Sequence, residues 1–263
     1  MKIITTFVMV ILATNLSLAQ EVNLESDSEQ LQSLKKSNWE SRKNIPKFSF
    51  TSLVFRNIQL QYERVLNRKF SAGLAYSMIP EGDFPFRETI INSASSEDDI
   101  SRYIGNASLK YSSFTPEVRF YVGKGYGKGF YLAPFYRHTS YTLDNINFYY
   151  DTDEGFEENL ATKGDLSSNT FGLQIGSQFN LGSRLILDWF IIGPHYGSGN
   201  GDLAGTTAGT LSETEQQSLR NTLNEIDFPL GEFSNEVNSK GAVVKIEGPW
   251  AGIRAGLALG YRF

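Results

Sequence analysis

Two histidines and no cysteine set the chemistry open to this chain. His138 is followed by Thr139 and Ser140, and a hydroxyl beside an imidazole is the starting point for nucleophilic catalysis. Such catalysis also needs a third group that orients the base. No acid stands at a spacing that would place it beside His138 or His195, and strand alternation turns His138 to an outward face. The expectation is an interfacial histidine, no catalytic residue and no enzyme. Without Cys there is neither a disulfide nor a thiolate metal site. Asp151, Asp153, Glu154 and Glu157 are hard oxygen ligands close in sequence, but their spacing is not that of an EF-hand. They read as solvated loop, so no metal and no cofactor are expected. The glycines at Gly199, Gly201, Gly123, Gly125, Gly127 and Gly129 lie between no strand and helix of a βαβ unit, and are turns rather than phosphate loops.

A second group of polar residues shares one face of the alternating segments: Gln59, Gln61, Glu63, Glu117, Arg119, Arg137, Asp188 and Arg254. Glu63, Glu117 and Asp188 balance Arg119, Arg137 and Arg254. In a barrel of about eight strands the interior is only wide enough for side chains, so these charges are expected to pair as Arg–carboxylate contacts and plug it. The alternative is a narrow ion path lined by the same groups.

Those residues are carried by segments of about ten residues with period-two alternation, the signature of barrel strands. In the last, Ala251, Ile253, Ala255, Leu257, Leu259, Tyr261 and Phe263 alternate with Gly252, Arg254, Gly256, Ala258, Gly260 and Arg262. Phe70 to Met78 and Phe171 to Phe179 repeat the pattern. Less regular candidates are Phe48 to Phe55, Asn57 to Val65, Phe114 to Val122, Gly129 to Tyr141 and Leu185 to His195. The fold class is therefore all-β: a closed antiparallel transmembrane β-barrel of about eight strands. Links Leu66 to Lys69, Gly123 to Lys128 and Gly182 to Arg184 are short. Pro80 to Asn106, Thr142 to Ser168 and Tyr196 to Gly248 are long outer loops, whereas the first outer loop, at Arg56 and Asn57, is tight. Ser212 with Glu215 forms a capping box, and Leu219, Leu223 and Ile226 follow at helical spacing, so the last outer loop contains a short helix.

The N-terminus reads as an export signal over residues 1–19, with Lys2, an apolar run from Ile3 to Leu12 and small residues at Ser17 and Ala19. Residues 20–47 are polar with scattered Leu31, Leu34 and Trp39, and read as a periplasmic segment; the barrel is then 48–263. No later stretch is long and apolar enough for a membrane helix. A net charge of −5 leaves no basic footprint for nucleic acid.

The terminal run Arg254 to Phe263 resembles the insertion signal of outer-membrane barrels, carried by Gly256, Leu259, Tyr261 and Phe263. Asn57 to Arg64, Thr115 to Tyr121, Gly129 to Phe135 and the strand around Gly193-Pro194 resemble uncharacterised small outer-membrane β-barrels of Bacteroidetes-type bacteria. That resemblance implies an outer-membrane location after export through the Sec pathway, and brings no catalytic position with it. Expected partners are outer-membrane lipid and lipopolysaccharide, the barrel-insertion machinery and a larger outer-membrane complex. The role expected is structural, in assembly or in interaction within the cell envelope, with a narrow solute channel or a lipid-modifying outer-membrane enzyme as the alternative. Deleting Phe263 should reduce the amount of folded, heat-resistant barrel in the envelope, as measured by heat-dependent gel migration. A truncated chain that accumulates normally would contradict the insertion-signal reading.

Overall fold

Alternation becomes geometry most plainly in the last strand, where Ile253, Leu259, Tyr261 and Phe263 are exposed while Arg254, Ala258 and Arg262 are buried. The computed structural model describes residues 41–93, 102–123, 125–225 and 232–263. The expected export signal, the polar run up to residue 40 and Ile226 of the expected helix lie outside those residues.

Among the described residues the main elements follow in chain order: β1 (Asn44–Ser49), β2 (Ile58–Val65), β3 (Phe70–Asp83), α1 (Arg87–Ser93), β4 (Ser108–Tyr121), β5 (Gly129–Asp151), β6 (Glu157–Asn180), β7 (Leu185–Thr206), α2 (Glu213–Asn224), β8 (Glu232–Asn238) and β9 (Gly241–Tyr261). All pairings are antiparallel, each of β1 to β7 pairs with its neighbour in sequence, and β7 pairs with β9. The ring of eight closes where Lys47, Phe48 and Ser49 of β1 meet Gly260, Leu259 and Ala258 of β9. β8 stands outside the ring, paired to the distal part of β9 from Glu232↔Glu247 to Asn238↔Gly241.

The first strand differs from expectation. It is Asn44–Ser49, and Thr51–Phe55 is a 3-10 turn that ends at Arg56 with φ 55°. The apolar run Leu53 to Phe55 belongs to that turn and is exposed, whereas the alternation that matters, Ile45, Lys47 and Ser49 inward, begins within the stretch read as a polar leader.

Two of the expected long loops are largely strand. β5 and β6 continue as one hairpin to Asp151↔Glu157, and β7 and β9 to Thr206↔Gly241. The inward face of this extension stays apolar through Phe148, Tyr150, Leu160, Leu203 and Val244, and α2 packs Leu219 and Leu223 against the same cluster. Acids and amides on the other face, in water, obscure the alternation in sequence. The capping box forms as expected: Ser212 Oγ accepts from Glu215 N at 3.2 Å and Ser212 N donates to Glu215 Oε2 at 2.9 Å.

Around the ring the outward residues form an apolar belt that includes Leu60, Leu74, Val118, Leu173, Trp189 and Leu259, all exposed. Inside, small residues make room for large ones. A Cβ on Gly176 would lie 2.4 Å from the Tyr131 ring, and one on Gly73 would lie 2.8 Å from Glu117 Cγ.

Leu223→Ala should remove a fully buried anchor of α2 and destabilise the extension by about 2 to 5 kcal/mol. Amide hydrogen exchange should then rise across Glu213–Asn224 and leave β1 and β2 protected. Unchanged exchange in α2 would show that the helix is held by something other than this contact.

Candidate functional sites inside and outside the barrel

Strands bring the predicted interior charges to the centre of the ring, and one more with them. Glu63, Glu117, Arg119, Asp188 and Arg254 are all buried. Lys47 on β1, not foreseen from sequence, donates from Nζ to Glu63 Oε2, Gln178 Oε1 and Asp188 Oδ2, each at 2.6 Å. Three N–H groups thus meet three acceptors, which is the full donor capacity of an ammonium. Arg119 Nη1 shares acceptors with Lys47, Asp188 Oδ2 at 2.6 Å and Gln178 Oε1 at 3.2 Å, and its Nε donates to Glu117 Oε1 at 2.6 Å. Arg254 reaches Glu117 Oε2 at 3.4 Å and stacks over Phe135 at 4.7 Å. Tyr121 donates to Glu63 Oε1 at 2.7 Å and Tyr131 to Asp188 Oδ1 at 2.9 Å.

Arg137 does not join this network. It was expected to meet the charges on β4, but Glu117 faces Phe135 in the ladder, so Arg137 sits farther out and its Nη2 donates to Tyr111 OH. Lys47 takes its place in the balance, giving Lys47, Arg119 and Arg254 against Glu63, Glu117 and Asp188. The sequence signal for Lys47 was its alternation with Pro46 and Phe48, hidden at the edge of a polar stretch. Arg137 instead lines a cavity of about 220 Å³ with Arg254, Gln59, Asn57 and Thr51, above the low β1–β2 hairpin.

Of the terminal residues, Leu259, Tyr261 and Phe263 face outward. At Gly256 a Cβ would lie 2.7 Å from the Phe190 ring and from Thr51 Oγ1. The residue is held by close approach.

On the outward face, β5 and β6 place a second polar group. His138 pairs directly with Asn169 in the ladder. Its Nδ1 lies 2.9 Å from Asn169 Oδ1, and its Nε2 lies 3.4 Å from Ser140 Oγ. Tyr136 OH also donates to Asn169 Oδ1; an amide oxygen only accepts, so His138 Nδ1 is the donor in its contact with that atom. The third group that sequence reading sought among acids is therefore an amide, supplied across the β5–β6 register. His195 is different: it turns inward, its ring against Phe135 at 5.9 Å, and its Nδ1 is buried without a hydrogen-bond partner.

At the far tip of β5, Arg102 stacks over Tyr149 at 4.1 Å and pairs with Glu157. The hydrogen bond from Arg102 holds the Glu157 carboxyl below the usual carboxylate range. Asp153 accepts from Ser212 Oγ at 2.9 Å. Two of the acids considered as calcium ligands thus have partners within the protein.

No family model matches the chain, and no curated protein matches it. Solved structures similar to it include Ail, the attachment invasion locus protein of Yersinia pestis, at 13% identity over 84% of this chain and 97% of that one, with a TM-score of 0.29. The translocator domain of the autotransporter NalP from Neisseria meningitidis is similar at 10% identity, over 91% of this chain and 99% of that one, with a TM-score of 0.31. The outer membrane protease OmpT from Escherichia coli is similar at 9% identity, over 84% of this chain and 93% of that one, with a TM-score of 0.34. With a protease among these, the expectation that the chain is no enzyme does not stand, and its enzymatic status is undetermined.

Removing one partner of a buried pair strands the other, at a cost of about 3 to 5 kcal/mol. Lys47→Ala, Glu117→Ala and Arg119→Ala should each lower the unfolding temperature in detergent well below that of Glu157→Ala, whose carboxylate is half exposed. Removing Glu117 and Arg119 together should be milder than the sum of the single changes. Equal unfolding temperatures for all of these variants would mean that water, not protein, solvates the interior charges.

Proposed function

We propose that this chain is an outer-membrane β-barrel protein of the small Bacteroidetes-type kind its sequence resembles, closed to solutes, with a structural and interaction role in the cell envelope. The observation that carries this reading is the charge-balanced plug. Lys47, Glu63, Arg119 and Asp188 meet across the middle of the ring with side chains at most 3% exposed, which supports a lumen closed to solutes. The apolar belt supports a membrane setting, because contiguous apolar surface of that extent is otherwise unfavourable in water. The strand extension with α2 and β8 supports an interaction role, since it gives the barrel a folded, polar platform beyond the belt. Outer-membrane lipid, lipopolysaccharide and a larger envelope complex are the partners this arrangement suits, with insertion machinery reading the β9 edge.

Reconstituted into planar bilayers, the wild-type protein should give no stepwise conductance, and Lys47→Ala combined with Asp188→Ala should open one. Steady single-channel steps from the wild type would replace the plug reading with the narrow-channel alternative.

A further inference from the structure

The hydroxyl, imidazole and amide aligned on the outward face of β5 and β6 have no part in the plug. We propose that Ser140, His138 and Asn169 form the active site of a serine ester hydrolase that acts on long-chain acyl esters of the surrounding lipid; the lipid substrate class, though not the serine chemistry, rests on the membrane reading above.

Three observations carry this inference. The first is the order of contacts. Asn169 Oδ1 accepts from His138 Nδ1 at 2.9 Å, so Nε2 is left as an acceptor, and it faces Ser140 Oγ at 3.4 Å. This is a nucleophile, a base and a group that orients the base, in the connectivity that activates a hydroxyl. The Ser140 contact is long for a hydrogen bond, as catalytic contacts often are before substrate binds.

The second is the setting of Ser140 in the ladder, where Ser112 of β4 and Ser167 of β6 lie directly opposite it on either side. Backbone N–H groups in a sheet are committed to the ladder, so side-chain hydroxyls are the donors available to a developing oxyanion. Ser112 and Ser167 are placed to supply them.

The third is depth. The neighbouring outward row contains Tyr136, Phe171 and Tyr196, with Phe171 and Tyr196 70% and 66% exposed. Aromatic rows of this kind mark the membrane–water interface. Two residues along a strand is about 7 Å, so His138 and Asn169 stand one step beyond that row and Ser140 two steps, about 13 Å along the strand, on the water side of the row, where lipid ester groups and hydrating water meet.

In the reaction, His138 Nε2 takes the Ser140 proton as Oγ bonds to the acyl carbonyl carbon. The tetrahedral intermediate collapses by breaking the bond to the alcohol oxygen, which leaves with the proton from His138. A water then attacks the acyl-serine with His138 again as base, releasing the fatty acid and restoring Ser140. The sum is ester plus water to acid plus alcohol. Asn169 and Tyr136 are positioning residues: Asn169 holds the imidazole, Tyr136 holds the Asn169 amide, and neither touches a reacting atom.

The test uses the full-length mature protein in detergent micelles with two probes, a long-chain alkyl fluorophosphonate and p-nitrophenyl laurate. Peptide mass spectrometry should find the phosphonate on Ser140. Ser140→Ala should abolish labelling, and Ser140→Ala or His138→Ala should lower laurate hydrolysis by about 10³-fold. Thr139→Ala, an inward-facing neighbour, should behave as wild type. Asn169→Ala should lower hydrolysis while Asn169→Asp restores it, a contrast that a merely structural Asn169 would not give. Heat-dependent gel migration confirms that each variant is folded. A folded wild-type protein that leaves Ser140 unlabelled and laurate intact overturns the proposal. Equal hydrolysis of p-nitrophenyl acetate and laurate overturns the lipid substrate class. Envelope fractionation tests the membrane reading separately, since Ser140 labelling in micelles does not depend on where the protein resides in the cell.

Discussion

The rest of the barrel is organised around a single compensated charge cluster. Lys47, Arg119 and Arg254 bring three positive charges into buried positions at the centre of the ring, and Glu63, Glu117 and Asp188 bring three negative ones. In a low-dielectric interior a lone charge is severely unfavourable, while a fully hydrogen-bonded network gains in strength and in directional demand. The members come from β1, β2, β4, β7 and β9, with Gln178 of β6 and Tyr131 of β5 as neutral acceptor and donor. β3 contributes space instead, through Gly73 beneath Glu117. Each strand's register is therefore tied to the same point, because a slip of one residue would turn its contribution out to the belt.

Filling the inside with matched charge leaves the outer surface as the place where chemistry and recognition can occur. The two ends of the barrel differ accordingly. One end has tight links, such as Leu181 to Arg184. At the other, half of the ring rises into a sheet backed by α2, while the β1–β2 hairpin stops at Ser49 and Ile58. The hydroxyl–imidazole–amide row lies on the tall half, where β5 and β6 remain paired well beyond the aromatic row. A rigid ladder on both sides is what keeps such a row in register.

How much of this could be read from sequence depends on how much of each pattern is local. The last strand was legible because Gly, Ala and Arg occupy one face and apolar residues the other without interruption. The α2 capping box was legible because Ser212 and Glu215 satisfy each other within one turn. Lys47 was not, because its partners Glu63 and Asp188 are far along the chain and its own strand is only six residues long. Arg137 looked equivalent to Arg254, and only the register, which sets Glu117 opposite Phe135, separates them. Thr142 to Asp151 read as loop because outside the belt the outward face meets water, so acids and amides replace the lipid-facing residues. Asn169 is hidden in sequence for a related reason: the partner of His138 is an amide, not an acid, and it lies opposite across a hairpin rather than nearby along the chain.

The seam that closes the ring carries a kinetic consequence. β1 meets β9 in three ladder pairs, from Lys47↔Gly260 to Ser49↔Ala258, supported by the paired bonds between Asn44 and Phe263 at 3.0 Å. It joins segments near opposite ends of the described chain, so its loop-closure entropy is met only after the hairpins between neighbouring strands have formed. Lys47 sits in that seam and carries the charge that completes the balance. Until β1 arrives, Glu63 and Asp188 share too little positive charge to be comfortable without water. Pairing of β1 with β9 and burial of the Lys47 contacts to Glu63 and Asp188 therefore coincide, so the last seam to form is also the one that completes the interior network.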